Sequence, residues 1–300
     1  MGRLQQSLLI LKNNPFAGRL CAVARDVELV LDNILPPRTT QLHEAMRYSV
    51  LGGGKRLRAY FTWASSQLFD VSHQDALQTA AVIELIHAYS LVHDDLPCMD
   101  NADIRRGKPS CHKAFGEATA TLVGDALIPL AFQTFSSLEA TPEVRLELIK
   151  ELGHVIGSQG LVAGQMMDLG QEGPRSTLED LSEQQRLKTG VLFGFAAEAG
   201  GILGNASPHE RRALRSFGLL FGKSFQMVDD WLDGCGDEDA IGKPCGQDNE
   251  KFTFLNLLGP TLLYQKAEET LEEALKALSP FKERAYLLRE AAVCALHRFS

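Results

Sequence analysis

The 300-residue chain has six cysteines and no CxxC pair, only two tryptophans, and no apolar run long enough to cross a bilayer. Each shortage excludes something. Without paired cysteine spacing there is no case for a disulfide framework or a structural zinc site, and reduced thiols in a cytoplasmic protein are expected. The longest mostly apolar stretch, residues 190–204, is too short for a membrane helix and carries Glu198. The leading MGRLQQSLLILKNNPF is followed by no small-residue cleavage site, so no signal peptide is expected. Gln6 stands where N-myristoylation requires a hydroxyl residue. Basic residues number 30 against 38 acidic ones, a net charge of −8, which lacks the broad basic surface that nucleic-acid binding uses. An anionic ligand would have to be held locally, by a few placed cations or a metal.

What the chain does have is helical periodicity. Apolar residues recur at three- and four-residue spacing almost throughout, and alternating β-branched runs are scarce, so an all-α fold is expected. Helices are predicted over 18–33, 40–51, 55–69, 74–95, 115–138, 142–168, 178–203, 208–233, 253–278 and 280–298, in one domain spanning 1–300. Pro36-Pro37, Gly52-Gly53-Gly54, Pro97, Gly173-Pro174, Pro208, the glycine-rich 234–246 and Pro280 supply the breaks. Glycines four apart, Gly190/Gly194 and Gly218/Gly222, suit close helix packing in a core. The charged segment 235–251 separates two helices and reads as a flap.

Charge is clustered twice. In HAYSLVHDDLPCMDNADIRRGKP (87–109), a helix over 74–95 would stack His87, Leu91 and Asp94 near one face and end in Asp94 and Asp95. A helix C-terminus is a poor place for acids, because the macrodipole is negative there. Pro97 should turn the chain out of the helix and bring Asp100 back toward the pair. A second cluster, SFQMVDDWLDGCGD, sets Asp229 and Asp233 one turn apart beside Asp230. Either cluster alone could be a solvated helix end. Together they suggest facing carboxylates that share divalent cations, and oxygen-only ligands favour Mg²⁺ or Mn²⁺. Lys55, Arg56 and Arg58 follow the triple glycine, and Arg105, Arg106 and Lys108 follow the first acids. Arginine forks and free backbone N–H groups suit phosphate oxygens. Carboxylate-held metal beside arginine-held anion describes a diphosphate site.

Four ordered motifs then carry a resemblance. LGGGKRLRAYF resembles the Gly-Gly-Lys-Arg-Leu-Arg-Pro motif of the trans-isoprenyl diphosphate synthases. HDDLPCMDNADIRRGKPSCHKAFGEATA resembles their first aspartate-rich motif, LKTGVLF their Lys-Thr segment and FQMVDDWLD their second aspartate-rich motif. The likeness is strongest to the bacterial farnesyl/geranylgeranyl branch and covers about residues 41–298. It implies a helical bundle of the isoprenoid synthase type around a deep apolar cavity, usually a homodimer. It also implies a reaction in which isopentenyl diphosphate is condensed with dimethylallyl or geranyl diphosphate.

By the same resemblance Asp94, Asp95 and Asp100 would hold two Mg²⁺ ions, and Asp229, with Asp233, a third. Arg105 and Lys243 would grip the allylic diphosphate. Gly54, Lys55, Arg58, His87 and Arg106 would line the isopentenyl diphosphate site, while Lys188, Thr189 and Gln226 would face the developing cation. His93 has no motif role and reads as structural. Tyr89, five residues before Asp94 and about 7–8 Å deeper along the helix, matches an aromatic that forms part of the cavity floor. With the Pro-containing expansion between Asp95 and Asp100, this suggests farnesyl diphosphate as product. A geranylgeranyl diphosphate synthase and a noncatalytic regulatory subunit are the competing readings. The chain also departs from the family pattern. Ala59 replaces a usual proline and is expected to loosen a helix start, Ala102 replaces an acid, and the flap near 248–251 is about two residues short.

Overall fold

The computed structural model describes residues 15–170, 177–235 and 253–297. Almost all of it is helix: α1 (Pro15–Ile34), α2 (Gln41–Val50), α3 (Leu57–Ser66), α4 (His73–Asp94), α5 (Cys111–Phe115), α6 (Glu117–Ser136), α7 (Pro142–Ile156), α8 (Leu161–Asp168), α9 (Leu178–Gln185), α10 (Val191–Leu203), α11 (Pro208–Cys235), α12 (Phe254–Leu258), α13 (Pro260–Ala277) and α14 (Tyr286–His297). The one hairpin pairs β1 (Ile104–Arg105) with β2 (Lys108–Pro109). It turns on Arg106 and Gly107, both at positive φ, as a two-residue hairpin requires.

Helix α4 is the axis. Ser72 caps it by accepting from the Asp75 N–H, and its run of Ala, Val, Ile and Leu is apolar on every side, so it is surrounded by α1, α3, α6 and α10. It stops at Asp94, and the Asp100 N–H then donates to the Asp94 carbonyl at 2.9 Å. The acids at the helix end are thus folded back on one another, as Pro97 led us to expect.

Opposite α4, α10 packs on α11 with almost no side chain between them. A Cβ on Gly218 would lie 2.3 Å from the Phe193 carbonyl, and one on Gly222 would lie 2.9 Å from the Gly190 Cα. Beside this seam Phe61, Phe193, Phe217 and Phe221 stack edge-on and tilted, with centroids 4.8–6.3 Å apart. Glu198 of α10, buried, accepts from Arg211 and Arg215 of α11, which reach on to Glu147 and Glu151 of α7.

Several predicted helices are interrupted. The segment 142–168 breaks at 157–160, where a side chain on Gly160 would collide with the Val155 carbonyl. The segment 178–203 contains a π-helical turn, Arg186–Gly190, and 253–278 divides at Gly259 (φ +71°) and Pro260. The last predicted helix begins as a 3₁₀ turn, Ser279–Ala285. Ala59 does not loosen α3: its N–H, which a proline would lack, donates to the buried Glu84 carboxylate at 3.3 Å. Among the described residues, α6 alone has the length and composition of a membrane span. Its Ala120, Val123, Leu127, Ala131 and Phe135 are nevertheless buried in the fold, and Leu122 faces outward.

Candidate active site

The end of α4, the π turn and α8 meet around a cavity of about 490 Å³. Its wall is hydrocarbon, with Leu91, Leu161, Met166, Leu169 and Leu192 among the lining residues, and its polar positions are Arg58, His87, Asp94, Gln165, Lys188 and Thr189. The π turn explains how Lys188 and Thr189 arrive there. One extra residue in the helix rotates them to the cavity, and Gly164 lets α8 lie directly on that turn, since a Cβ there would be 2.2 Å from the Lys188 nitrogen.

Asp94 is the electrostatic centre. Burial pushes its carboxyl above the ordinary range, and the charges of Asp100 and Asp168 push the same way. Opposing them are the Gln165 amide, which donates to Asp94, and the Lys188 ammonium 3.5 Å away. Lys188 is shared, its Nζ lying 2.5 Å from Asp168. Burial alone would lower its pKa, but Asp94 and Asp168 outweigh burial and hold it above the ordinary lysine value.

Asp95, expected beside Asp94 as a metal carboxylate, turns the other way. It is buried and accepts from Arg105 Nε at 3.0 and 3.2 Å and from Nη2 at 2.5 Å, a two-pronged pair that leaves it little capacity for a cation. Arg105 is thereby fixed on the hairpin near the acids.

The second half of the site is basic. Arg58, buried beside Phe193 with its guanidinium carbon 4.0 Å from the ring centroid, has its pKa lowered to about 10 by desolvation, with Arg106 adding to the lowering and Glu84 and Asp229 opposing it. Gly54, at φ +122°, leaves the space that the Arg106 guanidinium fills, since a Cβ would come within 2.9 Å of it. His87 is held well below its ordinary value by burial and by Arg58, Arg106, Arg56 and Arg105, so it is a neutral imidazole. Its unfolded value near 6.5 exceeds its folded one, so the unfolded chain binds the extra proton and stability is lost as pH falls below 6.5. Denaturant unfolding at pH 8 and at pH 5.5 is expected to show part of this loss vanish in His87→Gln, relative to wild type.

The remaining predicted residues fall in three groups. Thr189 Oγ1 donates to Gln226 Oε1 at 3.4 Å, and Gln226 Nε2 donates to Asp230 at 2.9 Å. Asp230 also accepts the Phe254 N–H at 2.9 Å, so it anchors α12 and orients the Gln226 amide. Asp229, half-buried, faces the basic half through its charge on Arg58, while Asp233 is buried one turn further along α11. Lys55 and Asp100 are exposed at the rim. Lys243 and the shortened 248–251 segment lie outside the described residues.

Among the described residues, no three His, Cys, Asp or Glu side chains form a ready-made metal cage. Magnesium shared with a phosphate chain needs only one or two protein carboxylates. Asp94 and Asp100 fit that role: all-oxygen donors at a desolvated place short of positive charge.

The polyprenyl synthetase family model matches residues 39–289. The chain belongs to this family. Farnesyl diphosphate synthase of Bacillus subtilis (strain 168) is 41% identical over 284 residues, 91% of this chain and 96% of that protein. An FPP/GFPP synthase of Zymomonas mobilis, in an apo crystal structure, superimposes with TM-score 0.83 at 40% identity, covering 92% of this chain and 97% of the other. A geranyltransferase of Helicobacter pylori, solved with magnesium and isoprenyl diphosphate, gives TM-score 0.80 at 32% identity over 95% and 97% of the two chains. In this polyprenyl synthetase, sequence reasoning passed over Gln165 and Asp168, lost inside one long predicted helix, and Asp230, which looked like one more acid. Glu84 was the legible omission: a single carboxylate in an otherwise apolar stretch, AAVIELIHA, signals a buried partner.

Proposed function

We propose that this chain is a Mg²⁺-dependent short-chain prenyltransferase that condenses isopentenyl diphosphate with dimethylallyl or geranyl diphosphate and stops at farnesyl diphosphate. The observation that carries the reading is one cavity with a hydrocarbon wall and, at its polar end, both the desolvated Asp94 carboxylate and the Arg58–His87 cluster. Only a ligand that is part phosphate and part oil uses all of it.

Asp94 and Asp100 would hold Mg²⁺, or Mn²⁺ in its place, at the first motif, with Asp229 and Asp233 holding a third ion at the second. Magnesium, when bound, supplies the charge neutralisation that lets diphosphate leave carbon. Arg105, oriented by Asp95, binds the allylic diphosphate, joined by Lys243. Gly54, Lys55, Arg58, His87 and Arg106 bind isopentenyl diphosphate, and neutral His87 does so as a hydrogen-bond donor. Thr189 and Gln226, with the Lys188 backbone, direct oxygen dipoles at the electron-poor allylic carbon, and the apolar wall excludes water from it.

Purified protein with Mg²⁺, radiolabelled isopentenyl diphosphate and allylic diphosphates of increasing length tests the whole reading. Farnesyl diphosphate as main product supports it; no condensation with any allylic partner removes it. Tyr89, buried at the cavity with its hydroxyl pushed up to about 12 by desolvation, stays neutral and acts as bulk. Tyr89→Ala is expected to lengthen the main product by one isoprene unit, read by chromatography, and an unchanged product would take Tyr89 out of the length-setting role.

The chain acts as one domain, in the cytoplasm and as a homodimer. Free thiols at Cys21, Cys98, Cys111 and Cys294 suit a reducing compartment. The outward apolar side of α6, with Leu122 exposed and a shallow groove formed by Pro129, Leu130 and Met46, supports pairing with a second copy.

A further inference from the structure

His93 does something that neither the acid cluster nor the basic cluster needs. Its ring lies flat over Gly124 of α6: a Cβ at that glycine would meet Nε2 at 2.0 Å, Cδ2 at 2.4 Å and Cε1 at 2.6 Å. The ring therefore occupies the space that any side chain at 124 would take. Its Nε2 lies 3.0 Å from the Thr121 carbonyl, one turn earlier on α6, and this acceptor sets the tautomer with the proton on Nε2. On its other side the ring meets Tyr89, four residues earlier on α4, edge to face, with centroids 5.9 Å apart and planes at 84°. Both His93 and Tyr89 line the cavity.

The order of contacts is thus α6 backbone, imidazole, phenol, cavity. A tyrosine at the end of a hydrocarbon pocket defines its depth only if something stops the ring from turning aside. Here the neighbour that prevents turning toward α6 is His93, itself pinned at two points to α6. We infer that His93 is a positioning residue for chain length: through Tyr89 it fixes how deep the cavity is, and Gly124 is required because it makes room for the imidazole. This deepens the prenyltransferase reading and rests on it for the word product, although cavity depth can be measured without turnover.

The stack predicts shifts of opposite sign. His93→Ala opens space beside Tyr89, lets the phenol swing toward α6 and lengthens the pocket. Gly124→Ala forces the imidazole off α6 and against Tyr89, which shortens the pocket. Two readouts are used: product length with geranyl diphosphate as starter, and calorimetric binding of nonreactive thio-analogues of geranyl, farnesyl and geranylgeranyl diphosphate. His93→Ala is expected to bind the geranylgeranyl analogue about tenfold more tightly than wild type, the gain from burying roughly two further methylenes. Its main product is expected to grow by one isoprene unit while geranyl-analogue affinity stays the same. Gly124→Ala is expected to lose farnesyl-analogue affinity and keep geranyl-analogue affinity. The double variant His93→Ala/Gly124→Ala, in which the methyl takes the vacated ring space, is expected to behave like His93→Ala.

The inference is overturned if His93→Ala keeps the wild-type length preference, if both single variants shift the same way, or if His93→Ala loses the geranyl analogue, which would put the ring at the diphosphate. Should Gly124→Ala fail to fold by circular dichroism, the double variant decides: folded with a deepened pocket supports the stack, unfolded sinks it. A wild-type protein that discriminates among the analogues but makes no condensation product would remove the reaction and leave the depth device standing.

Discussion

Replacing Asp94 with asparagine is expected to lower turnover by about three orders of magnitude, equivalent to about 4 kcal/mol of lost transition-state stabilisation. The substitution is nearly isosteric. An asparagine Oδ1 still accepts from Gln165, and Lys188, although it loses one neighbour, keeps Asp168 at 2.5 Å. What goes is the negative charge that would hold a divalent cation against a departing diphosphate. The same charge works against the fold. Burial raises the Asp94 pKa, so the folded state is the one that prefers the proton, and at neutral pH its ionisation opposes folding. Asp94→Asn is therefore expected to unfold at the wild-type temperature or slightly above it while being nearly inactive. Steady-state kinetics beside calorimetric Mg²⁺ binding and thermal unfolding checks all three. Near-normal turnover would dismiss Asp94 as a metal ligand, and a collapse of stability would make the loss of activity uninformative.

Glu84→Ala is expected to produce the largest stability loss. Arg56, almost fully buried, donates to Glu84 at 2.8 Å and to the Val50 carbonyl at 2.7 Å, and reaches Glu28 at 3.3 Å. Removing Glu84 leaves a buried guanidinium without its main counter-charge, at a cost of about 3–5 kcal/mol. For a chain of this size that corresponds to a fall of roughly 10 °C in Tm. Glu84→Gln keeps an acceptor for the Ala59 N–H and is expected to lose less. Because Arg56, at φ +50°, starts the helix that carries Arg58, the loosened variant is also expected to show a raised KM for isopentenyl diphosphate with kcat little changed. A Tm within about 2 °C of wild type would show that Arg56 finds other partners.

The helical class, and the return of Asp100 to Asp94, were legible because both follow from local rules: apolar spacing, and a proline that cannot continue a helix. The same rules gave the glycine seam between α10 and α11. They did not give the π turn at 186–190, because a π turn leaves the apolar period on each side intact and shifts only the phase between them. Nor did they separate Asp94 from Asp95. Adjacent acids on a helix differ by about 100° in direction, and which one faces the cavity depends on where the hairpin places Arg105, a long-range fact. The role of Ala59 was misread for a related reason: a missing proline looks like lost rigidity until the acceptor of the freed N–H, 25 positions away, is known.

The π turn has a consequence for how this chain tolerates change in length. Arg186–Gly190 works as a single surplus tooth in a gear train. Deleting one residue there would restore ordinary winding but turn everything after it by about 100°. Gly190 and Gly194 would then rotate out of mesh with Gly222 and Gly218, and bulkier neighbours would be driven into a seam that admits only a hydrogen atom. Indels at 186–190 should thus be barred even where substitutions are permitted.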